Sequence, residues 1–414
     1  MKKAITFILY VTIFFAIVFG GTGTLRIGPL SLRHICTLTL FLYICFGGKR
    51  ISDYSIRKVF RYYMVYLTIY TLANTFNGEI LSHHFIQSLF TYHLPCLGIL
   101  LSFPRMIRDK KQLSLVTYAI IAVYLVNAVL TVFQYNGDPV AWETGRMIAE
   151  IKDDHQEAID AIAEKSDNLF GYSIASGIIG FVVTNGYIIA TFSPLLLIHF
   201  FTKRRLLWIV DILLAALAVY ASFATQQRTA FFLVLLYMAF LLALRSNLFI
   251  KTVVLCSFLY LLANGSQFFD TESLGRIQEV ETGLGNREDQ VDGFVNFLCS
   301  PYMIFGGSNA YEVNFGMAQH NSLLSAWVLG GIFTFICFAV FYFYLVKKVI
   351  MEFFVSLKKT SYHSYTIAYS AASGIFLFYS LFHSAGVQNG SPMFWIAFTL
   401  LLISVNIEKK SNYA

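Results

Sequence analysis

Long apolar runs alternate with short polar breaks along nearly the whole chain. The runs cover residues 4–20, 30–47, 60–76, 85–103, 113–133, 181–201, 206–224, 229–244, 250–264, 321–346, 364–383 and 391–407. Most come close to the roughly 20 apolar residues that a helix needs to cross a bilayer. The pattern predicts an all-α polytopic membrane protein with about twelve transmembrane helices in one integral membrane domain over 1–414. Two long polar connections interrupt it, 134–170 and 265–320, the larger lying between spans nine and ten. In the first, Ile148, Ile151, His155, Ala158 and Ile162 recur at alternating spacings of three and four, which predicts an amphipathic helix within 147–165. In the second, Asn286 is placed to cap a helix with Glu288 and Asp289 in its first turn. That helix has an expected buried stripe of Val291, Phe294, Val295 and Leu298, and ends at Pro301. A turn is expected at Gly306-Gly307-Ser308-Asn309, and the chain shows no internal repeat and no low-complexity segment.

Composition excludes a soluble enzyme. Of 414 residues 57% are apolar and only 13% charged, with a mean hydropathy of +0.64, whereas soluble domains carry roughly a quarter charged residues. The net charge of +7 reports topology here rather than nucleic acid, because basic residues concentrate at cytoplasmic ends of spans. The first connection holds only Arg26, whereas the second holds Lys49, Arg50, Arg57, Lys58 and Arg61. The alternation continues through Arg105 to Lys111, Lys203 to Arg205, Arg245 with Lys251, and Lys347 to Lys359. Both termini are therefore expected in the cytoplasm. Lys2 and Lys3 precede the first apolar run, but no small-residue cleavage site follows, so 4–20 reads as an uncleaved span. Of thirty Lys and Arg, eight break the rule: Arg26, Arg33, Arg146, Lys152, Lys165, Arg228, Arg276 and Arg287. Eighteen of the 23 acidic residues fall on the external side, mostly in the two long loops. The six cysteines are scattered without a C-x-x-C pair, which argues against a zinc site or a disulfide framework.

Several residues carry candidate chemistry, each beside a plainer reading. Arg228 follows Thr225-Gln226-Gln227 at the external end of span eight. Snorkelling would explain it, but the other interfacial arginines are cytoplasmic, and ionisable residues at membrane depth are functional by default. Arg287 occupies the first turn of the loop helix, where the macrodipole disfavours a cation. An ion pair with Glu281, Glu288 or Asp289 and an anion site shared with the helix N–H groups both account for it. Arg276 stands between Glu272 and Glu279, which favours a structural ion pair. His320 lies where the external loop meets span ten, and an imidazole there can accept a proton near neutral pH. His83, His84 and His93 fit no common metal-ligand spacing, Asp153-Asp154-His155 reads as solvated surface, and Asp211 within span seven is a packing contact or a proton relay. Gly283-Leu284-Gly285 lacks the third glycine and the strand of a dinucleotide fingerprint, and no Walker motif, H-E-x-x-H or G-x-S-x-G is present. No metal and no cofactor are expected.

Taken in order, Gln227-Arg228-Thr229, Leu284-Gly285-Asn286-Arg287, Pro301 with Gly306-Gly307, and His320-Asn321-Ser322-Leu323-Leu324 with Gly330-Gly331 resemble the O-antigen ligase and Wzy-type polymerase superfamily. The resemblance covers about 185–407, from Asn185-Gly186 onward, while the N-terminal third resembles the family only in hydropathy. It implies a GT-C-like, multi-pass protein of the bacterial inner membrane whose active face is periplasmic. The implied substrates are oligosaccharides and polysaccharides carried on undecaprenyl diphosphate, and a chain-length regulator and a flippase are the implied protein partners, with no nucleic acid. By position His320 matches the family's histidine, the base on the acceptor hydroxyl, and Arg228 and Arg287 match its diphosphate-holding arginines. Arg276, Asn321 and Gln227 are secondary candidates.

The charge logic agrees with that chemistry. A leaving diphosphate gains negative charge, which two guanidinium groups stabilise. A sugar hydroxyl is too weak an acid to ionise first, so a base must take its proton during attack. The absence of an Asp-x-Asp pair agrees with a metal-independent glycosyltransferase. Some ligases carry a further arginine before the last span, where this chain reads His383-Ser384-Ala385-Gly386-Val387-Gln388-Asn389-Gly390-Ser391-Pro392. Ligases also often show two histidines two residues apart, whereas here Ala318 and Gln319 precede a single one. Both points favour a polymerase over a ligase. A flippase of the same lipid-linked oligosaccharide is the alternative of another class, but mid-membrane charge is almost limited to Arg33 and Asp211.

Overall fold

The computed structural model describes residues 53–151, 182–198, 208–245, 291–307, 321–358, 364–382 and 391–411, with isolated positions at 26–27, 30–31, 39–40, 42, 175, 177, 252, 311, 315 and 387. These residues are almost wholly helical. The exception is a minimal antiparallel pair, β1 (Arg26–Ile27) and β2 (Leu30–Ser31), with Arg26 opposite Ser31. The helices in chain order are α1 (Tyr54–Phe76), α2 (His83–Ser88), α3 (Leu94–Met106), α4 (Lys110–Tyr135), α5 (Pro139–Ile151), α6 (Val182–Leu196), α7 (Trp208–Ala224) and α8 (Arg228–Arg245). They continue with α9 (291–298), α10 (Tyr302–Phe305), α11 (Ser322–Lys358), α12 (Ser364–Tyr379) and α13 (Pro392–Ser411). Among the described residues three stretches are long and apolar enough to cross a membrane, Lys110–Tyr135, Ser322–Leu357 and Pro392–Lys410, with shorter apolar helices at Leu94–Met106, Leu213–Ala224 and Thr229–Phe240. Such helices suggest membrane insertion. Expected spans one, two and nine lie outside the described residues apart from positions 30, 31, 39, 40, 42 and 252, and the first two of these, Leu30–Ser31, form strand β2 where span two was expected to begin.

The chain divides into two compact units, Met1–Ile120 with Leu284–Ala414, and Ile121–Gly283. In the first unit α13 is the central element, buried at every position from 392 to 405. A helix that is apolar all round belongs in such a place. Trp395 packs against Tyr63 with ring centroids 4.9 Å apart and stacks on Phe341 at 6.1 Å. Several polar tips in this core are paired: Tyr63 meets His93 Nδ1 at 2.7 Å, Thr117 meets Tyr369 at 2.7 Å, and Thr366 meets Ser404 at 2.9 Å. His93 ends a single π-helical turn, Leu89–His93, between α2 and α3. His93 is thus a buried core residue whose Nδ1 is engaged by Tyr63.

Helix α1 begins earlier than the hydropathy suggests. The Asp53 carboxylate accepts from Ser55 N at 2.7 Å and Ile56 N at 3.2 Å, a cap that brings Arg57, Lys58 and Arg61 onto the helix. Helix α11 is broken at Gly331, where φ is 74° and ψ −175°. The chain of α10 sits in that break: Gly307 N donates to Val328 O at 2.9 Å and Trp327 Nε1 donates to Met303 O at 3.0 Å. A Cβ added at Gly306 would lie 2.5 Å from Gly331 N, so the Gly306-Gly307 and Gly330-Gly331 pairs meet backbone to backbone. Asn77, just past α1, ties the clasp down by donating to Phe305 O at 2.8 Å and to Gly306 O at 3.0 Å.

Two loop expectations need correction. In α9 the buried face is Phe297, with Phe294 and Leu298 packed beside it, whereas Val291 and Val295 are 60% and 50% exposed. Aromatic partners set this rotation: Phe297 meets Tyr311 and Phe315 edge-on at 5.8 and 6.0 Å. Gly293 allows the approach, since a Cβ there would lie 3.1 Å from Phe315 O. The helix expected within 147–165 is described only to Ile151, and it starts at Pro139, earlier than expected, because Asp138 Oδ1 accepts from Ala141 N at 2.8 Å and Pro139 takes the first helical position. The remainder of 147–165 lies outside the described residues.

Candidate functional site

Arg228 is the first residue of α8, and the turn that delivers it lies in the second unit. Helix α7 ends in back-bonded hydroxyls, with Ser222 Oγ donating to Val219 O at 2.7 Å and Thr225 Oγ1 to Ser222 O at 2.8 Å. Such bonds compete with the helix ladder and help to stop it. Gln226 then takes φ 53°, the one positive φ among the described non-glycine residues. Its N–H donates to Phe223 O at 2.9 Å and its Nε2 to the same carbonyl at 3.2 Å. Gln227 follows, with its N–H 3.4 Å from Thr225 Oγ1 and its carbonyl accepting from Phe231 N at 3.0 Å, which opens α8.

Gln226 is only 2% exposed, and its Oε1 is buried with no hydrogen-bond partner among the described residues. Left-handed backbone at a non-glycine residue costs of order 1–3 kcal/mol and persists only where the surroundings over-determine it. The surroundings here do so through a buried polar frame. Asn185 in α6 accepts from Asn127 Nδ2 at 2.7 Å and donates to Thr131 Oγ1 at 3.0 Å and Ala175 O at 3.2 Å. Ala175 N in turn donates to Ala224 O at 3.2 Å, one residue before the turn. Gln134 closes the frame, accepting from Gly177 N at 2.8 Å and donating to Ala141 O at 3.1 Å. Beside Asn185, Gly186 lets the α6 backbone lie directly on Gln227: an added Cβ would come within 2.9 Å of Gln227 Cβ and 2.7 Å of its Cγ.

Asn321 belongs to the other unit and caps α11. Its Oδ1 accepts from Leu323 N at 2.8 Å and Leu324 N at 3.2 Å, and its Nδ2 donates to Leu381 O at 2.9 Å. Both ends of the amide are thereby engaged in the fold, which makes Asn321 a structural cap. Ser322 N donates to Ser380 O at 3.0 Å and fixes the same corner. His320, Arg287 and Arg276 lie outside the described residues, as does the Arg228 side chain. Of the candidates the structure brings Gln227 and the Arg228 backbone together at one turn and sets Asn321 at the start of another helix.

The frame residues Asn127, Thr131, Gln134 and Asn185 were not among the candidates. A signal for three of them is present in the sequence, because Asn127, Thr131 and Gln134 stand four and three residues apart on one face of an otherwise apolar span.

Among the described residues these features define a helical protein with three helices long and apolar enough to cross a membrane, and a buried polar frame beside the turn that opens the shorter apolar helix α8. Compared with protein-family models and with curated proteins, the chain matches none.

Proposed function

We propose that the protein is an O-antigen-type polysaccharide polymerase of the bacterial inner membrane. It transfers the growing glycan from undecaprenyl diphosphate to the non-reducing end of a new lipid-linked repeat unit on the periplasmic side. The proposal includes twelve spans, cytoplasmic termini and a GT-C-like arrangement with its large loop at 265–320. The observation that carries it is the buried turn Thr225–Gln227, which spends strain and polar burial on starting an apolar helix with an arginine. A lipid-facing anchor needs neither, whereas an arginine that must meet a diphosphate needs a fixed origin.

In the reaction the acceptor hydroxyl oxygen bonds to the anomeric carbon of the donor sugar. The bond from that carbon to the diphosphate oxygen breaks, and the diphosphate leaves with the electron pair. His320 takes the hydroxyl proton, while Arg228 and Arg287 stabilise the negative charge gathering on the diphosphate. Gln227 supports the start of α8, and Arg276 serves the loop through its acidic neighbours.

The test is the lipopolysaccharide gel pattern of a strain lacking this protein. Core carrying a single repeat unit is the expected result. Bare core with long lipid-linked chains would instead identify a ligase, and single units accumulating in the cytoplasm would identify a flippase. If His320→Ala, Arg228→Ala and Arg287→Ala variants, present at normal membrane levels, all restored full-length chains, the assigned roles would be wrong.

A further inference from the structure

We infer that Asn185 and Gly186 are positioning residues that set where Arg228 stands, and so tune the protein's hold on the diphosphate of its lipid-linked substrate. The inference rests on the function proposed above and extends it to residues that never touch the substrate. Two independent contacts run from α6 to the turn. Through Asn185, a hydrogen-bonded path passes to Ala175 O, from Ala175 N to Ala224 O, and so to the residue preceding Thr225. Through Gly186, the α6 backbone bears on the Cβ and Cγ of Gln227, the residue before Arg228.

The two contacts act on a backbone that would not hold its shape alone. Gln226 at φ 53° would relax toward ordinary dihedrals if either support were withdrawn. Such a relaxation moves the residues that follow it, and Arg228 follows by two. The Gly186 contact involves Cβ and Cγ rather than the mobile end of the glutamine, so a methyl group there displaces the Gln227 backbone as well as its side chain. It removes no hydrogen bond. A guanidinium meets a diphosphate through directional, paired hydrogen bonds, so a small displacement of its origin is felt in affinity.

The test uses the full-length protein in nanodiscs of bacterial phospholipid, with undecaprenyl diphosphate as the probe and its Kd as the readout. Arg228→Ala is expected to weaken binding about tenfold or more, the scale of a lost charge-assisted hydrogen bond. Gly186→Ala and Asn185→Ala are each expected to weaken it roughly three- to tenfold. The double variant Gly186→Ala/Arg228→Ala should bind no more weakly than Arg228→Ala alone, a non-additivity that general destabilisation would not produce. If Asn185→Ala does not accumulate, Gly186→Ala carries the test with the hydrogen-bonded frame intact. Should Arg228→Ala weaken binding while Gly186→Ala leaves it unchanged, or adds its effect in full to that of Arg228→Ala, the positioning role is overturned and the diphosphate reading stands. Should Arg228→Ala itself leave binding unchanged, the diphosphate reading and the inference fail together.

Discussion

Gly331→Ala probes the break in α11 directly. At φ 74° and ψ −175° the residue lies in a region that is essentially open to glycine only. The added methyl would also collide with Ile304 O and lie 2.6 Å from Phe305 Cα, both part of the backbone of α10. Backbone strain contributes of order 1–3 kcal/mol and forced overpacking roughly another 1–3 kcal/mol. The expected loss is therefore about 2–6 kcal/mol, or roughly 4–12 °C in Tm at about 2 °C per kcal/mol for a unit of this size. The internal control is Gly374→Ala in α12, where the new Cβ would meet only Val349 Cγ1 at 3.4 Å. There the better helix propensity of alanine predicts a change between zero and a gain of about 1 kcal/mol. Thermal unfolding in nanodiscs, followed by intrinsic tryptophan fluorescence, reads both variants in one experiment. A Gly331→Ala protein with the Tm of the parent would refute the clasp between the two glycine pairs.

Other outcomes follow from single contacts. Cys299 is exposed just past α9, whereas Cys96 is buried. A membrane-impermeant maleimide should label intact spheroplasts and the labelling should drop on Cys299→Ser; an unchanged signal would contradict a periplasmic 265–320 loop. Asn321→Ala should lower stability by roughly 1–2 kcal/mol through loss of the α11 cap, and Asn321→Asp should recover part of it because the carboxylate still accepts from Leu323 N and Leu324 N. Equal Tm values for the two variants would count against capping. Gln226→Gly should raise Tm while lowering polymerisation, since it relieves left-handed strain and deletes a buried acceptor that has no partner among the described residues. A fall in Tm would mean that the Nε2 bond to Phe223 O outweighs the strain.

Much of the helix plan is written in the hydropathy, because a span is specified by length and apolarity alone. Expected 113–133 became Lys110–Tyr135, and 206–224 became Trp208–Ala224. Helix starts escape hydropathy where a side chain decides them, as with the Asp53 cap of α1 and the Asp138 cap of α5. The buried stripe of α9 escapes a periodicity argument because valine and phenylalanine look alike to it. Only the presence of Tyr311 and Phe315 decides which of them turns inward. The glycine motifs were visible as motifs, but that Gly306-Gly307 and Gly330-Gly331 touch each other follows from tertiary contact. The polar frame was harder still, since Asn185 gains its meaning from Asn127 and Thr131 more than fifty residues earlier.

The distribution of cost within the second unit supports reading the turn as functional. Helix α6 is buried from 185 to its end at 196, so a polar group placed there finds a partner or forfeits about 1–3 kcal/mol, as Thr191 Oγ1 does among the described residues. Asn185 satisfies that demand with three bonds, and Gln134 with both ends of its amide. Gln226 differs from the other buried polar groups without a partner among the described residues, such as Thr191, Tyr124 and Tyr237, in combining that burial with a left-handed backbone, two residues before Arg228. A frame built only for stability would relax such a residue by substituting glycine, which tolerates the same φ without strain. The frame instead holds the strained residue in place, and the segment it holds is the one that sets where the arginine begins. Backbone strain retained beside a hydrogen-bonded frame is expected where position, rather than stability, is under selection.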